Sequence, residues 1–391
     1  MVLGDHHRRH IVTWKLCRPL AKAIMGVKFN FRAEKNDIAG PKLILANHNS
    51  DWDPGFIVCA FREQVYFVSS EHLLRLGGIS KFLIWLQDPI PRQKGGSAAG
   101  TVMSTLRRLK SGCSVCIFPE GNRSWDGVTR GFPPATGKLA RVSGATLVTY
   151  HTQGAYFANP RWAGPSVRKG LVKGSVVGVY PPEVLAKMSP DEINAAIARD
   201  LYEDACARQR EDMIPFRGRR TAEHLETLLF TCPKCGAMHA MESRDERFFC
   251  LRCGYGVRYL PTGFFAGSDP VFDNIRDWNL WQEERIKDLC ARAADGMIFS
   301  DSPAELYEVS SGQGAARLGR GDIRLFRDRL ELPGGVSLPI PEITGMSLRG
   351  PTDLFLTRGG HSYQLLTGKS CCTHKYLSAC RYLGLQAEYG V

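Results

Sequence analysis

Between residues 42 and 179 the chain alternates short apolar runs with amphipathic stretches, and most of the runs stop at a polar loop. The runs at 42–46, 65–69, 114–118, 146–151 and 171–179 have strand length. Helical spacing predicts helices at 54–60, 72–77, 79–86, 98–111 and 136–144. Strand and helix taking turns is the signature of an α/β domain: a mostly parallel sheet flanked by helices. Such sheets place functional residues at the carboxyl ends of their strands. Ser189-Pro190-Asp191-Glu192 then starts a helix, with Pro in its first turn and acids after it, predicted to run through Ala207. Arg217 to Arg220 forms a short basic linker.

The pattern changes further on. From 269 to 294 apolar residues, among them Phe272, Ile275, Trp278, Trp281, Ile286 and Leu289, recur at helical spacing. Two tryptophans on one face read as core or interface. Short alternating runs follow at 323–326, 330–332, 336–340, 345–348, 354–357 and 363–366, punctuated by Pro and Gly, and a closing helix carries Tyr376, Leu377, Cys380 and Leu383. This is a mainly β region with a C-terminal helix.

Composition narrows the setting. The 391 residues suffice for two or three domains. Lys and Arg number 51 against 39 Asp and Glu, a net +12, which suits an anionic partner: lipid headgroups, phosphorylated substrates or nucleic acid. No apolar run reaches the length of a membrane span, and no cleavage-site pattern follows an apolar core. The expectation is a cytoplasmic protein. In residues 11–31, Trp14, Leu16, Leu20, Ala23, Ile24 and Val27 are interleaved with Lys15, Arg18, Lys22 and Lys28. This reads as a basic amphipathic helix able to lie in a membrane interface, kinked or split at Pro19. A helix packed on the core with its charges in water fits the same residues.

Candidate chemistry begins at the end of the first apolar run, in Asn47-His48-Asn49-Ser50-Asp51-Trp52-Asp53. A carboxylate five positions after a strand-end histidine can hold one imidazole nitrogen while the other faces a substrate. A histidine so held can take a proton from a hydroxyl near neutral pH. With no Ser or Cys nucleophile at the expected place, direct transfer to an alcohol is the natural chemistry. Alone, the pair would fit better a histidine that caps a helix or satisfies a buried carbonyl. A second strand ends in Phe118-Pro119-Glu120-Gly121-Asn122-Arg123-Ser124, where Arg123 offers a planar fork of donors to a phosphate and Glu120 an acceptor for a hydroxyl. Between the two, Arg92 and Lys94 flank a Gly-rich turn before a helix, a ready anion site or simply a solvated basic loop.

These blocks resemble the glycerophospholipid acyltransferase superfamily, the lysophosphatidic acid acyltransferase-like enzymes. The pattern Asn-His-x-Ser-x-x-Asp matches Asn47, His48, Ser50 and Asp53, and Phe-Pro-Glu-Gly-Thr-Arg-Ser matches 118–124 except that Asn122 replaces Thr. The resemblance covers roughly residues 10–215. It implies that His48 is the general base and that Asp53 orients it. It further implies that Arg92 meets the acceptor's phosphate and that Glu120, Gly121 and Arg123 bind glycerol phosphate, with Asn47 and Ser50 completing the substrate-binding loop. One departure stands out: the family's fourth motif has Pro where this chain has Thr149, which bears on substrate identity. Tyr150 and His151 can line a pocket, but a strand-end histidine is more often structural.

The remaining signal is Cys232-x2-Cys235 and Cys250-x2-Cys253, each ending in Gly and separated by fourteen residues. Four thiolates at this spacing suit tetrahedral structural zinc in a zinc ribbon, leaving no open position for catalysis. The alternatives are a pair of disulfides or an iron cluster; disulfides are disfavoured, since 13 cysteines are scattered through a chain with no secretion signal. The β region beyond resembles a pleckstrin-homology-like barrel at pattern level. The domains expected are an anchor at 1–31, an acyltransferase domain at 32–217, the ribbon at 221–262, a helical linker at 263–295 and the β domain at 296–391.

The expected function is transfer of a fatty acyl group from acyl-CoA or acyl carrier protein to 1-acyl-glycerol-3-phosphate, in phospholipid biosynthesis. The protein would sit peripherally at the inner face of the cell membrane, against an anionic surface. Acylation of another acceptor (glycerol-3-phosphate, a lyso-aminolipid, a glycolipid precursor) is the nearest alternative. A non-enzymatic ribbon module that binds protein or nucleic acid is the rival, although nucleic acid is not the expected partner. It rests on Arg244, Arg247, Phe248, Phe249, Arg252, Tyr255, Arg258 and Tyr259.

Overall fold

The computed structural model describes residues 5–70, 87–92, 99–293, 296–310, 314–349, 352–368 and 371–385. The helices expected at 72–77 and 79–86, and Lys94 with its Gly-rich turn, lie outside them. Two compact units emerge: Met1–Pro160 with Val167–Phe216, and Arg161–Ser166 with Arg217–Tyr389.

The first unit opens with α1 (Asp5–Phe29), then β1 (Arg32–Ala33), β2 (Lys42–Ala46), α2 (Asp53–Ala60), β3 (Val65–Ser70), β4 (Ile90–Arg92), α3 (Ala99–Lys110), β5 (Ser114–Ile117) and α4 (Ala135–Val142). It continues through β6 (Thr146–Gln153), α5 (Ala155–Ala158), β7 (Lys173–Tyr180), α6 (Pro182–Leu185), α7 (Pro190–Leu201) and α8 (Ala205–Asp212). Its sheet runs β1-β7-β6-β2-β5-β3-β4. Only β6 and β7 pair antiparallel; the other neighbours are parallel, as the alternation predicts.

Every residue of β2 is buried, which is why this strand reads as an unbroken apolar run. Leu43 and Leu45 face a core shared with Val115, Leu147, Ile193 and Ile197. Ile44 and Ala46 face the other side, with Trp14, Ile57, Phe61, Val65 and Val148.

Three expectations are corrected here. Pro19 does not split the N-terminal segment: α1 is one 25-residue helix. Trp14 is not on an outward face but buried in the core, with Met25 and Phe29; the exposed stripe is Val12, Leu16, Leu20, Ile24 and Val27. The helix begun at Ser189 has the full capping box but ends at Leu201, and Asp204 caps a separate α8 through Ala207 N.

The second unit contains two sheets. β8 (Met241–Arg244), β9 (Arg247–Cys250), β10 (Gly256–Tyr259) and β11 (Phe265–Ala266) form an antiparallel sheet in the order β11-β10-β9-β8. Helix α9 (Ile275–Arg292) lies against it, with Trp278 in ring contact with Phe248, Tyr255 and Phe265. This helix starts six residues later than its apolar pattern suggests, because Asn274 caps it by accepting from Asp277 N; Phe272 still packs on Trp278 and Trp281.

Seven strands follow: β12 (Phe299–Ser310), β13 (Gly314–Leu325), β14 (Arg329–Leu332), β15 (Val336–Pro339), β16 (Gly345–Arg349), β17 (Asp353–Arg358) and β18 (His361–Thr367). They form one antiparallel sheet in the order β15-β14-β13-β12-β18-β17-β16, and α10 (Thr373–Tyr382) closes the unit. Strand β12 escapes the sequence reading because Ser, Asp and Pro303 interrupt its apolar alternation.

Candidate active site and metal centre

Two loops meet because the strands that deliver them are neighbours. β2 and β5 are parallel and in register, Leu45 beside Ile117, so their carboxyl ends emerge side by side. Backbone bonds then lock the loops together. The His48 amide donates to Glu120 Oε1 at 3.0 Å, and the Ser124 amide donates to the His48 carbonyl at 2.9 Å.

His48 donates Nδ1–H to Asp53 Oδ2 at 2.8 Å, and its ring stacks on Phe118. Asp53, the first residue of α2, is 1% exposed. The same Oδ2 accepts the amides of Asn49 and Ser50, so this carboxylate fixes both the ring and the loop carrying it. The histidine side chain keeps 19% of its surface in solvent, and Nε2 has no partner among the described residues. That nitrogen is therefore the one able to receive a proton.

Glu120 is 2% exposed and both its oxygens are engaged, Oε1 by His48 N and Oε2 by Arg130 N. Burial pushes its carboxyl up to about 8, against the downward pull of those two amides. Gly121 turns the chain after β5 at φ +73°, where a side chain would be strained. Arg123 pairs with Asp51 at 3.1 Å and reaches Asn159 Oδ1 at 3.5 Å; burial pulls its pKa down, while Asp51 and Asp53 oppose that.

The structure sorts the residues of the sequence patterns by reach. Asn47 Nδ2 donates to the Thr152 carbonyl and Oδ1 accepts the Thr152 amide, extending the β2–β6 pairing with a side chain. Ser50 is fully buried and donates to Asn159 Oδ1. Asn47, Ser50 and Glu120 thus bond to protein rather than face an open site. Arg92 sits at the carboxyl end of edge strand β4, three strands from β2 and so roughly 14 Å across the sheet.

Asn159 was not legible in the sequence. One buried oxygen of its amide accepts from Ser50 Oγ, Asp51 N and Arg123, tying three parts of the site together. Thr149 lies away from the loops: its hydroxyl donates to the buried Asp200 of α7 at 2.8 Å, where a Pro could not. Tyr150 is fully buried, and His151 is buried against Glu203 at 3.0 Å, in keeping with a structural role for both.

In the second unit, the Sγ atoms of Cys232, Cys235, Cys250 and Cys253 lie within 4.8 Å of one another. Cys232–Cys253 and Cys235–Cys250 are separated by 3.7 and 3.8 Å. A tetrahedron with metal–sulfur bonds of about 2.3 Å has edges of about 3.8 Å, so these two spacings match those of a tetrahedral zinc site. Gly236 and Gly254 close the two knuckles at φ +69° and +73°, returning their amides to the Cys232 and Cys250 carbonyls.

Residues 28–152 match the family profile described as Acyltransferase. Over 160 residues the chain is 25% identical to the 1-acyl-sn-glycerol-3-phosphate acyltransferase of Borreliella burgdorferi, an alignment taking in 39% of this chain and 63% of that protein. The chain thus spans under two thirds of that relative's length. The crystal structure of the 1-acyl-sn-glycerophosphate (LPA) acyltransferase PlsC from Thermotoga maritima superposes with a TM-score of 0.43 at 18% identity, covering 54% of this chain and 83% of that one.

Proposed function

From the premise that the first unit carries a domain of the glycerophospholipid acyltransferase superfamily, we propose that the chain moves a fatty acyl group from acyl-CoA or acyl carrier protein to the free hydroxyl of 1-acyl-glycerol-3-phosphate. The observation that carries this reading is the histidine ring held by Asp53 with its other nitrogen open, in a loop bolted to the Arg123 loop.

His48 Nε2 takes the hydroxyl proton as the acceptor oxygen attacks the thioester carbon. The C–O bond forms, the C–S bond breaks, and the departing thiolate recovers a proton from the imidazolium. Asp53 stabilises that imidazolium through Nδ1. Arg123, with Arg92 further along the sheet edge, holds the acceptor's phosphate. Asn47, Ser50, Glu120 and Gly121 act by fixing the loops rather than by touching substrate.

Both substrates have acyl chains, so the enzyme works at a membrane surface. The support for this is α1: its stripe of Val12, Leu16, Leu20, Ile24 and Val27 is exposed, with Lys15 and Lys22 also in solvent. No helix among the described residues is long and apolar enough to cross a membrane. The contact is then peripheral, at the inner face of the cell membrane. Zinc in the Cys232, Cys235, Cys250 and Cys253 site is structural. A different acceptor (glycerol-3-phosphate, a lyso-aminolipid or a glycolipid precursor) would use the same machinery, and Thr149 in place of Pro keeps that reading open.

Mass spectrometry of lipids formed from an acceptor panel with both donors tests the assignment. The expected result is acylation of 1-acyl-glycerol-3-phosphate, lost by roughly 10²–10⁴-fold in His48→Ala with the fold and acceptor binding retained. Undiminished turnover in that variant overturns it.

A further inference from the structure

The four-stranded sheet of the second unit has one face turned inward and one turned to solvent. Met241, Phe248, Val257 and Tyr259 are buried. The outward face carries arginines in direct cross-strand register: Arg244 opposite Arg247, and Arg247 opposite Arg258. All three are exposed. Like charges placed opposite one another on adjacent strands cost stability, so nothing in the sheet itself favours this row. Arg244 has Glu242 at 3.2 Å, whereas Arg247 and Arg258 have no ion pair among the described residues.

On β9, Phe249 lies on the same side as Arg247. Leu251 is 65% exposed at the tip of the second cysteine knuckle, beside the exposed Arg252. A concavity of about 670 Å³ is lined by Lys234, Arg247, Phe249 and Arg258 together with Glu246 and Asp269. This part of the ribbon thus carries Lys234, Arg244, Arg247, Arg252 and Arg258 against Glu242, Glu246 and Asp269, with Leu251 protruding at the knuckle tip. Of the aromatic residues that a stacking platform for nucleic-acid bases would need, Phe248, Tyr255 and Tyr259 are buried, and Phe249 alone, half-buried, reaches this face.

We propose that this face of the ribbon is a docking surface for an anionic lipid bilayer. A phosphate-bearing lipid headgroup sits between Arg247 and Arg258, and Leu251 enters the apolar boundary beside it. The proposal shares with the proposed function only the premise of a bilayer-borne substrate; the α1 contact is separate.

The test uses the full zinc-loaded chain in co-sedimentation with phosphatidylglycerol/phosphatidylcholine vesicles and with phosphatidylcholine alone. Expected is preference for the anionic vesicles, weakened on the order of tenfold in Arg247→Gln/Arg258→Gln. Leu251→Ser, at an exposed position that leaves the fold intact, weakens binding by a similar factor at fixed charge. Zinc content measured on each variant confirms that the ribbon is folded. Parallel measurements on Leu16→Glu/Leu20→Glu separate the two contacts. Loss in the α1 variant alone overturns the ribbon surface and leaves the anchor standing; loss in the ribbon variants alone does the reverse. An oligonucleotide that displaces the protein from vesicles through Arg247 and Arg258 also overturns the proposal.

Discussion

Glu120 belongs to the second motif loop but holds the first. Its two oxygens accept backbone amides from His48 and Arg130, so the carboxyl sets where the imidazole loop sits. Its pKa of about 8 lies above that of an unfolded glutamate, near 4.5. Between those values the folded state holds the extra proton, so stability falls as pH rises through this window and levels off above it. Glu120→Gln cannot titrate, so the stability of wild type relative to the variant should decline from pH 5 to pH 8 in urea unfolding; a constant difference would mean the amides keep the carboxyl ionised throughout. The variant should also lose activity, since the amide nitrogen of Gln would face a backbone N–H, leaving a buried donor unpaired at about 1–3 kcal/mol. Residues five apart at a strand end made His48 and Asp53 legible, because their contact is local. Asn159 was not, because Ser50 and Asp51 reach it only through the fold, across more than a hundred positions. The structural duty of Glu120 was hidden for the same reason: its donors are backbone amides, which carry no sequence signature.

At the scale of elements, α1 has two faces with different work. His10, Trp14, Met25 and Phe29 are buried, and Arg18 donates to the Val58 and Cys59 carbonyls at the end of α2, satisfying groups that a helix terminus leaves open. Among the described residues the outward face has no such partners. Leu16→Glu/Leu20→Glu should therefore leave thermal stability within about 0.5 kcal/mol of wild type, as for surface substitutions, yet reduce partition onto vesicles. A large fall in melting temperature would instead show that the stripe is covered by protein. Periodicity located β2, β3, β5, β6 and β7 of the first unit, since β2 and β5 must be apolar on both faces. It gave the apolar residues of α1 but not which of them point inward, because a helix apolar on two sides leaves that choice to its neighbours. The break between α7 and α8 was missed for a different reason: Asp204 works as a cap only once the chain has turned away after Tyr202.

At the scale of the molecule, each unit has its own means of cohesion. The first rests on two apolar layers about a sheet. The second adds the four thiols and, beyond them, a cluster about the buried Lys375, which bonds Asp301 at 2.6 Å and His239 at 2.7 Å, joining the ribbon to the C-terminal sheet and α10. Cysteine spacing made the four-thiol group legible from sequence; the Lys375 cluster was not, because its members are scattered and each is an ordinary surface residue type. Chelation should unfold the ribbon, since the binding energy of such a centre is folding energy, with thermal unfolding of the full chain losing its second-unit transition first. Retention of that transition in a zinc-free sample would refute a structural metal.

The burial of Trp278 against Phe248, Tyr255 and Phe265, with its indole nitrogen donating to the Thr231 carbonyl beside the first cysteine knuckle, couples a chromophore to the thiol cage. The protein therefore carries its own optical gauge of metallation: emission from this indole should shift to the red as the ion is withdrawn and return when it is restored.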